Sequence, residues 1–455
     1  MSFDSLQAIS PIDGRYSAML SELQPLFSEF GFMRYRIEVE IRWFQTLIEA
    51  GQIKGISSLS KKDTQWLHAI FENFSLQDAQ KIKEIEAETQ HDVKAVEYFI
   101  KDKLSKNKKL APYCEFVHFT LTSEDINNLA YGMILKTAKE DIIGVQLFTL
   151  IKELQKQAKK YAALPMLART HGQPASPTTL GKELANFVAR LKRQEFQWKH
   201  LSILGKCNGA VGNFNAHVVV DDEYDWLSLS EHFVNQLGLS WNPYTTQIEP
   251  HDFIAELSHC MMQINTILVD FCRDIWSYIS LGYFVQKTQA KSIGSSTMPH
   301  KINPIDFENS EGNLQLANAL FQSFANELPI TRFQRDLSDS TMMRNIGVAF
   351  AHSLLAYKKV MTGLERLAPN KQVLLEELST HWELLAEPIQ MMMRRYQCPQ
   401  AYEQLKALTR GKMVDRETLH QFIDQLLLPV EAKRKLKELT PENYLGLASH
   451  LAKNA

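Results

Sequence analysis

The chain has 455 residues, 45% of them hydrophobic, and a formal net charge of −2. A chain of this length forms two or three domains and can bury a large core. The near-neutral charge gives no broad positive field for nucleic acid or an anionic membrane, so an anionic ligand has to be bound by a local group of cations. We therefore expect a small-molecule ligand, no nucleic-acid partner and no membrane partner.

The cysteines and the apolar runs indicate a cytoplasmic protein. The sequence has 5 cysteines, and none of them forms a C-x-x-C pair. Scattered cysteines in an odd number are typical of reduced, mostly buried thiols. No N-terminal stretch resembles a signal peptide, and no apolar run approaches the roughly 18 residues that a membrane span requires.

Apolar residues recur at helical spacing along most of the chain. The pattern predicts helices over residues 32–50, 81–104, 122–163, 178–204, 249–284, 304–328 and 340–367. The third begins at Thr122 as N-cap, with acidic residues in its first turn, and its length is roughly 60 Å. Rods of this length rarely cover their own apolar stripes, which favours a bundle built from several chains.

The resulting fold class is all-α, with three helical domains. We predict an N-terminal domain over 1–111, a central long-helix bundle over 112–367 and a C-terminal domain over 368–455. The strand-like run His217 to Val220 is too short to build a sheet of consequence.

The sequence GSSTMPHKINP, from Gly294 to Pro304, separates two of the long helices. Its glycine lets backbone N–H groups approach a ligand closely, and Lys301 adds a point charge. Asn303 is predicted as N-cap of the next helix and Pro304 as its first residue. A helix N-terminus beside such a loop suits a carboxylate or an oxyanion. On composition alone, a solvated interhelical loop is the less favoured alternative.

Polar residues also collect at 13–16, 89–92, 122–123, 169–173 and 335–344. In the fourth group, Gly172 and Pro174 stop the helix, so His171 is presented on a loop. A lone histidine there also fits a structural role. In the last group, Arg335 and Arg344 offer forked donors for phosphate and Ser340 is predicted as an N-cap, although either arginine alone also fits an exposed ion-paired turn.

Taken together, these motifs resemble the fumarase/aspartase superfamily. GSSTMPHKINP resembles its signature loop, and the histidine between Pro299 and Lys301 resembles the adenylosuccinate lyase branch. THGQPASPTTLG resembles the segment that carries the general acid of that branch. The resemblance extends from Arg15 to Arg344 in the expected order. It implies a homotetramer with shared active sites and no cofactor. The sequence also has no H-E-x-x-H motif and no paired cysteines, so we expect no metal.

The resemblance implies elimination of fumarate from adenylosuccinate and from the succinyl-carboxamide ribotide of purine synthesis. Ser295 is then the base and His171 the acid. The substrate-binding residues implied in this way are Arg15, Tyr16, His91, Asp92, Thr122, Ser123, Gln247, Ser296, Lys301, Asn303, Asn309, Arg335, Ser340 and Arg344. Glu124 stands where the family usually has a small polar residue, so Glu124 is not among the residues that the resemblance implies.

Two alternatives remain open on the sequence alone. Argininosuccinate lyase and fumarase share the loop, but a substrate without phosphate needs no cluster such as Arg335 to Ser340. An inactive helical scaffold is the second alternative, and the intact Ser295 and His171 argue against it.

Overall fold

A computed structural model describes residues 4–287, 298, 300–411 and 414–455. Throughout these residues helices predominate, which confirms the all-α class. The α-helices are α1 Gln24–Phe27, α2 Glu29–Glu49, α3 Lys61–Glu72, α4 Leu76–Thr89, α5 Asp92–Ser105, α6 Ser123–Thr137, α7 Gly144–Lys160, α8 Leu180–His200, α9 Asn215–Val220, α10 Trp226–Gln236, α11 Asp252–Ser280, α12 Ile305–Glu327, α13 Ser338–Met343, α14 Ile346–Arg366, α15 Lys371–Ser379, α16 Ala386–Arg395, α17 Ala401–Thr409, α18 Arg416–Gln425, α19 Val430–Lys437 and α20 Ala448–Lys453.

Short strands form three two-stranded sheets in the described residues. The strands are β1 Pro165–Thr170, β2 Gln173–Thr179, β3 Leu204–Gly205, β4 Ser240–Trp241, β5 Phe284–Gln286 and β6 Leu367–Pro369. The pairs β1–β2 and β5–β6 are antiparallel, and β3–β4 is parallel. None of the described helices combines the length and the low polarity that a membrane span requires.

The chain divides into two compact units. The first combines the segment up to Leu147 with Phe196–Thr266 and Gly312–Tyr357, and the second combines Phe148–Glu195, Ile267–Glu311 and Lys358–Ala455. The three-domain division over 1–111, 112–367 and 368–455 stays a prediction.

Helix α2 lies in the core of the first unit and packs against α5 and α6. Ser28 is its N-cap, and the Ser28 hydroxyl accepts a hydrogen bond from the Gly31 N–H at 3.1 Å. Ile37, Val39 and Ile41 are fully buried although they point to different sides of the helix. A helix that is buried on most sides needs partners for every polar side chain that it carries.

The second unit contains the β1–β2 hairpin and a C-terminal helical core. Helix α15 contacts β1 of the hairpin. The C-terminal core includes the buried side chains of Leu385, Ile389, Met393, Leu405, Leu419, Ile423 and Leu436. These residues recur at three- and four-residue spacing, as the inner faces of short amphipathic helices require.

Two predicted helices are interrupted. The segment 81–104 is not one helix, because Gln90 adopts the left-handed conformation with φ 55° and His91 is extended as the N-cap of α5. The segment 340–367 is divided into α13 and α14. Ser340 lies inside α13 and is not an N-cap, because the Asp336 carboxylate accepts from the Ser338 N–H at 2.8 Å and the helix begins earlier.

Other predictions hold or need a smaller correction. Thr122 is the N-cap of α6, as predicted. The loop predicted around His171 is the turn of the β1–β2 hairpin. The run His217 to Val220 is part of helix α9 and not a strand. All five cysteines are free thiols in the described residues, three of them buried.

His217 is a fully buried histidine enclosed by aromatic rings. The rings of Phe214 and Trp226 lie at centroid distances of 5.2 and 5.1 Å. Neither ring nitrogen has a hydrogen-bond partner among the described residues. Desolvation lowers the pKa of His217 from 6.5 to about 4, so the imidazole is neutral in the folded unit at neutral pH.

This burial predicts acid sensitivity. Below about pH 6.5 the unfolded chain binds a proton at His217 that the folded chain does not accept, so stability falls as the pH drops from 6.5 towards 4. The loss between pH 7 and pH 5 should be about 2 kcal/mol. His217→Leu should remove this part of the pH dependence of the free energy of unfolding measured by urea denaturation, whereas His232→Gln, an exposed position on α10, should not. Parallel pH profiles for the native chain and His217→Leu would contradict the assignment.

Candidate functional site

In the first unit, Arg335 lies in a group of polar side chains from separate segments. Its Nη2 atom is 2.9 Å from Glu124 Oε1, and Nη1 donates to Gln247 Oε1 at 3.4 Å. Two predicted site residues, Arg335 and Gln247, are therefore in contact. Glu124 is buried and neutralises Arg335, so its carboxylate acts on the arginine.

His251 and Glu249 extend this group. His251 Nε2 is 3.4 Å from Asp339 Oδ2, and Asp339 Oδ1 is 3.9 Å from Arg335 Nη2. The His251 backbone N–H donates to the Glu249 carboxylate at 2.9 Å. Burial raises the pKa of Glu249 despite this bond. His251 also has φ 66°, a left-handed conformation that is uncommon for a residue with a side chain.

Arg344 belongs to a second charged group in the same unit. Arg344 is ion-paired with Glu29 at 3.1 Å and with Asp92 Oδ2 at 3.3 Å. Asp92 Oδ2 also accepts from Arg36 Nη2 at 2.7 Å. Desolvation opposes ionisation of Asp92, but the two guanidinium groups and the Val93 N–H outweigh it and lower the pKa of Asp92.

His91 lies beside this group and is half-exposed. Its Nδ1 atom accepts from the Lys94 N–H at 3.2 Å as the N-cap of α5, which assigns the proton of the neutral ring to Nε2. The Nε2–H group is then available as a hydrogen-bond donor. The predicted pair His91 and Asp92 is thus located at one helix N-terminus, where the helix dipole favours an anion.

A pocket connects the two charged groups. It is lined by Phe32, Arg36, Glu124, Asn127, Asn128, Tyr131, Glu249, His251, Phe253, Ile254, Asp339, Ser340, Met343 and Arg344. Predicted residues Ser340 and Arg344 are among them. Thr122 and Ser123 begin the helix that supplies Glu124 and Asn127.

The predicted site residues near the N-terminus lie close to Arg344 in the first unit. Asp13, Ser17 and Arg344 line one cavity of about 270 Å³. Arg15 and Tyr16 lie between Asp13 and Ser17 in sequence, and the Arg15 guanidinium is 5.9 Å from the Tyr16 ring centroid. The segment 13–17 therefore adjoins the second charged group but does not line the pocket that connects the two charged groups.

In the second unit, His171 and Gly172 form the two-residue turn of the β1–β2 hairpin. Their φ angles are 54° and 75°, the signature of a type I′ turn, and Thr170 pairs with Gln173 across it. His171 is exposed. The turn thus presents the His171 imidazole away from any packed face.

Arg169 supports this turn from the preceding strand. Its Nη1 atom donates to the Gly172 carbonyl at 3.3 Å, and its Nη2 atom pairs with Glu377 of α15. Tyr283 donates its hydroxyl to the same carboxylate. Burial and the bond to Glu377 raise the pKa of Tyr283 to about 12, so the phenol stays protonated.

Ser295 and Ser296 lie outside the described residues. The chain on either side is held together, because Gln286 Nε2 donates to the Ile302 carbonyl at 3.0 Å. Lys301 is exposed, while Asn303 and Asn309 are partly buried. Helix α12 begins at Ile305, one residue after the prediction, and the Pro304 carbonyl accepts from the Glu308 N–H at 3.2 Å.

Sequence reasoning missed Arg36, Asn127, Glu249 and His251. No local pattern singles out Arg36, since α2 carries other charged residues on both sides of it, such as Arg34 and Glu38. The Arg36 side chain is 2% exposed, and its guanidinium lies 4.0 Å from the Phe32 ring centroid. A buried cation in such a helix indicates a partner elsewhere in the fold.

The sequence matches two families of known proteins. A family described as lyase matches residues 14–318, and one described as adenylosuccinate lyase C-terminal matches residues 331–445. The adenylosuccinate lyase of Legionella pneumophila strain Corby is 55% identical over 453 residues, covering 100% of this chain and 99% of the relative. The enzyme of the same name from Escherichia coli K12 is 53% identical over 448 residues, 98% of each chain.

Two solved structures share the fold. A fumarate lyase from Mesorhizobium sp. BNC1 has a TM-score of 0.78 at 18% identity, covering 95% of this chain and 97% of its own. A 3-carboxy-cis,cis-muconate lactonizing enzyme from Pseudomonas putida has a TM-score of 0.76 at 20% identity, covering 96% and 97%. The fold and the full-length sequence identity together show that this chain belongs to the adenylosuccinate lyase family.

Proposed function

We propose that the protein is a carbon–nitrogen lyase that splits adenylosuccinate into AMP and fumarate. It also splits the succinyl-carboxamide ribotide SAICAR into AICAR and fumarate. The observation that carries the proposal is the pocket lined by Ser340 and Arg344, with Arg335 paired to Glu124 in its wall, because it brings forked cations and a hydroxyl together for a phosphate group. Full-length relatives with the name adenylosuccinate lyase support the choice of substrate. The activity belongs to purine nucleotide biosynthesis, and we expect it in the cytoplasm.

The reaction is an elimination that needs no cofactor. Ser295 removes a proton from the carbon beside one succinyl carboxylate, and the resulting electron pair forms the C=C bond of fumarate as the C–N bond breaks. His171 gives a proton to the departing nitrogen. Lys301 and Asn303 stabilise the extra negative charge that the neighbouring carboxylate acquires in the transition state.

The described geometry suits these roles. His171 is exposed at a type I′ turn that Arg169 supports, so its imidazole is held at a defined place and can still meet a substrate. The N-terminus of α5, with His91 and Asp92, suits the nucleotide end of the substrate. A serine hydroxyl is a weak base, so Ser295 requires an environment that stabilises its alkoxide.

Ultraviolet absorbance of the purine tests the function and the catalytic pair together. The native chain should change the absorbance of adenylosuccinate and leave argininosuccinate unchanged. Ser295→Ala and His171→Ala should each lower kcat by about 10² or more with the fold retained, because each removes one proton-transfer group. His232→Ala serves as the control. An inert native chain would exclude the function, and near-normal turnover of either variant would exclude only that residue's role.

Arg344 should contribute to binding of the substrate's 5′-phosphate. Arg344→Gln should raise KM for adenylosuccinate by about 10- to 100-fold, because a charge-assisted hydrogen bond contributes about 1.5–3 kcal/mol. The unphosphorylated nucleoside should be affected far less. Arg332→Gln is the matched control, since Arg332 is 81% exposed on the same segment and pairs with Asp336. Equal losses on both substrates would assign Arg344 to structure.

We further propose that the enzyme is a homotetramer whose sites are shared between subunits. Large apolar side chains are exposed on several of the long helices, including Val145, Phe196, Trp276 and Leu316 at 55%, 65%, 46% and 55%. Surfaces of this kind are typical of subunit contacts. His171 and Ser295 follow different long helices, so neighbouring subunits are a natural source of the two groups.

Mixing two inactive variants tests the shared site. When His171→Ala and Ser295→Ala subunits exchange at equal amounts, about a quarter of the sites should carry both intact groups if they come from different chains. Activity should recover to about that fraction. Exchange proven by native mass spectrometry, without recovery of turnover, would mean that each chain supplies its own acid and base.

A further inference from the structure

One neutral side chain lies between the two charged groups of the first unit. Asn127 Nδ2 donates to Glu124 Oε1 at 2.6 Å, and Asn127 Oδ1 accepts from Arg36 Nε at 2.9 Å. Both ends of the amide are therefore used, and its orientation is fixed by one acceptor and one cationic donor. Asn127 and Glu124 are three residues apart on α6, which places them on the same helix face.

Each partner of Asn127 leads to one of the arginines. The oxygen that accepts from Asn127 is also 2.9 Å from Arg335 Nη2. On the other side, Arg36 shares Asp92 Oδ2 with Arg344, at 2.7 and 3.3 Å. An unbroken series of polar contacts thus runs between Arg335 and Arg344, and Asn127 is its central member.

The residues in the middle of this series are buried, which restricts their motion. The side chains of Arg36 and Glu124 are 2% and 6% exposed, so water cannot replace their partners when a contact is lost. Each half also remains neutralised without Asn127, because Glu124 pairs with Arg335 and Asp92 pairs with Arg36. What Asn127 adds is the link between the halves.

We propose that Asn127 is a positioning residue that fixes the Arg335 and Arg344 guanidinium groups relative to each other for the substrate phosphate. The proposal rests on the proposed function, since the phosphate is that of the nucleotide substrate. Asn127 itself acts through Glu124 and Arg36.

Asn127→Ala tests the link, with Thr137→Ala on the same helix as matched control because the Thr137 hydroxyl bonds only its own helix, at the Met133 carbonyl, among the described contacts. Asn127→Ala should raise KM for adenylosuccinate about 5- to 10-fold and change kcat much less, as loss of two hydrogen bonds predicts. KM for the unphosphorylated nucleoside should stay within about twofold. Thr137→Ala should match the native chain. Equal KM increases on both substrates, or none, would overturn the proposal.

A double-mutant cycle separates positioning from general loss of structure. Arg335→Lys and Arg344→Lys should combine non-additively in KM on the native background and additively on the Asn127→Ala background. Unchanged coupling would overturn the link. If the native chain turns over adenylosuccinate and Asn127→Ala has the same KM, this inference is wrong and the proposed function stands. If the native chain itself is inactive, the proposed function is wrong.

Asn127→Asp supplies a further contrast. Aspartate keeps the acceptor for Arg36 but loses the donor to Glu124 and brings two carboxylates together. It should therefore bind the phosphorylated substrate no better than Asn127→Ala. Tighter binding than the native chain would show that Asn127 only balances the charge of Arg36. Circular dichroism melting of every variant identifies any that fails to fold, and Asn127→Ser then replaces Asn127→Ala.

Discussion

The buried carboxylate of Asp125 determines where helix α6 begins. Asp125 is fully buried and accepts hydrogen bonds from the Thr122, Asn208 and Gly209 N–H groups at 2.9, 3.0 and 3.0 Å. Lys206 Nζ, also fully buried, pairs with it at 3.0 Å. Loss of one partner from a buried ion pair destabilises the folded state by about 3–5 kcal/mol, so separation of the two segments is strongly unfavourable. The N-terminus of α6 is thereby fixed to the loop after β3.

The contacts of Asp125 also position two residues that line the pocket between the charged groups. Glu124 and Asn127 lie within one turn of Asp125, so their positions follow from the same contacts. The chain as a whole carries a net charge of −2, and its capacity to bind an anion depends on where a few cations are held. Internal carboxylates keep those cations in place before a substrate arrives.

The sequence predicts the long helices well because their apolar stripes repeat over many turns. It also predicts the Thr122 cap and the exposed His171, since glycine and proline forbid a helix there. It does not predict the hairpin around His171, because two short strands carry little periodic signal, nor the break at Gln90, which depends on a left-handed residue other than glycine. It does not predict the roles of Arg36 and Asn127, because their mutual contact joins residues that are distant in sequence, and a pattern along one segment cannot reveal it.

The two arginines differ in how easily a phosphate can recruit them. Arg335 is 18% exposed and its main partner Glu124 is 6% exposed, so this ion pair is buried and its exchange requires desolvated charges to part. Arg344 and Glu29 are 44% and 42% exposed, and a pair of this kind contributes at most about 1 kcal/mol. Replacement of Glu29 by a phosphate oxygen therefore costs little. Arg335 is held by the buried Glu124, whereas Arg344 can exchange Glu29 for a substrate oxygen while its contact with Asp92 keeps its position relative to Arg36.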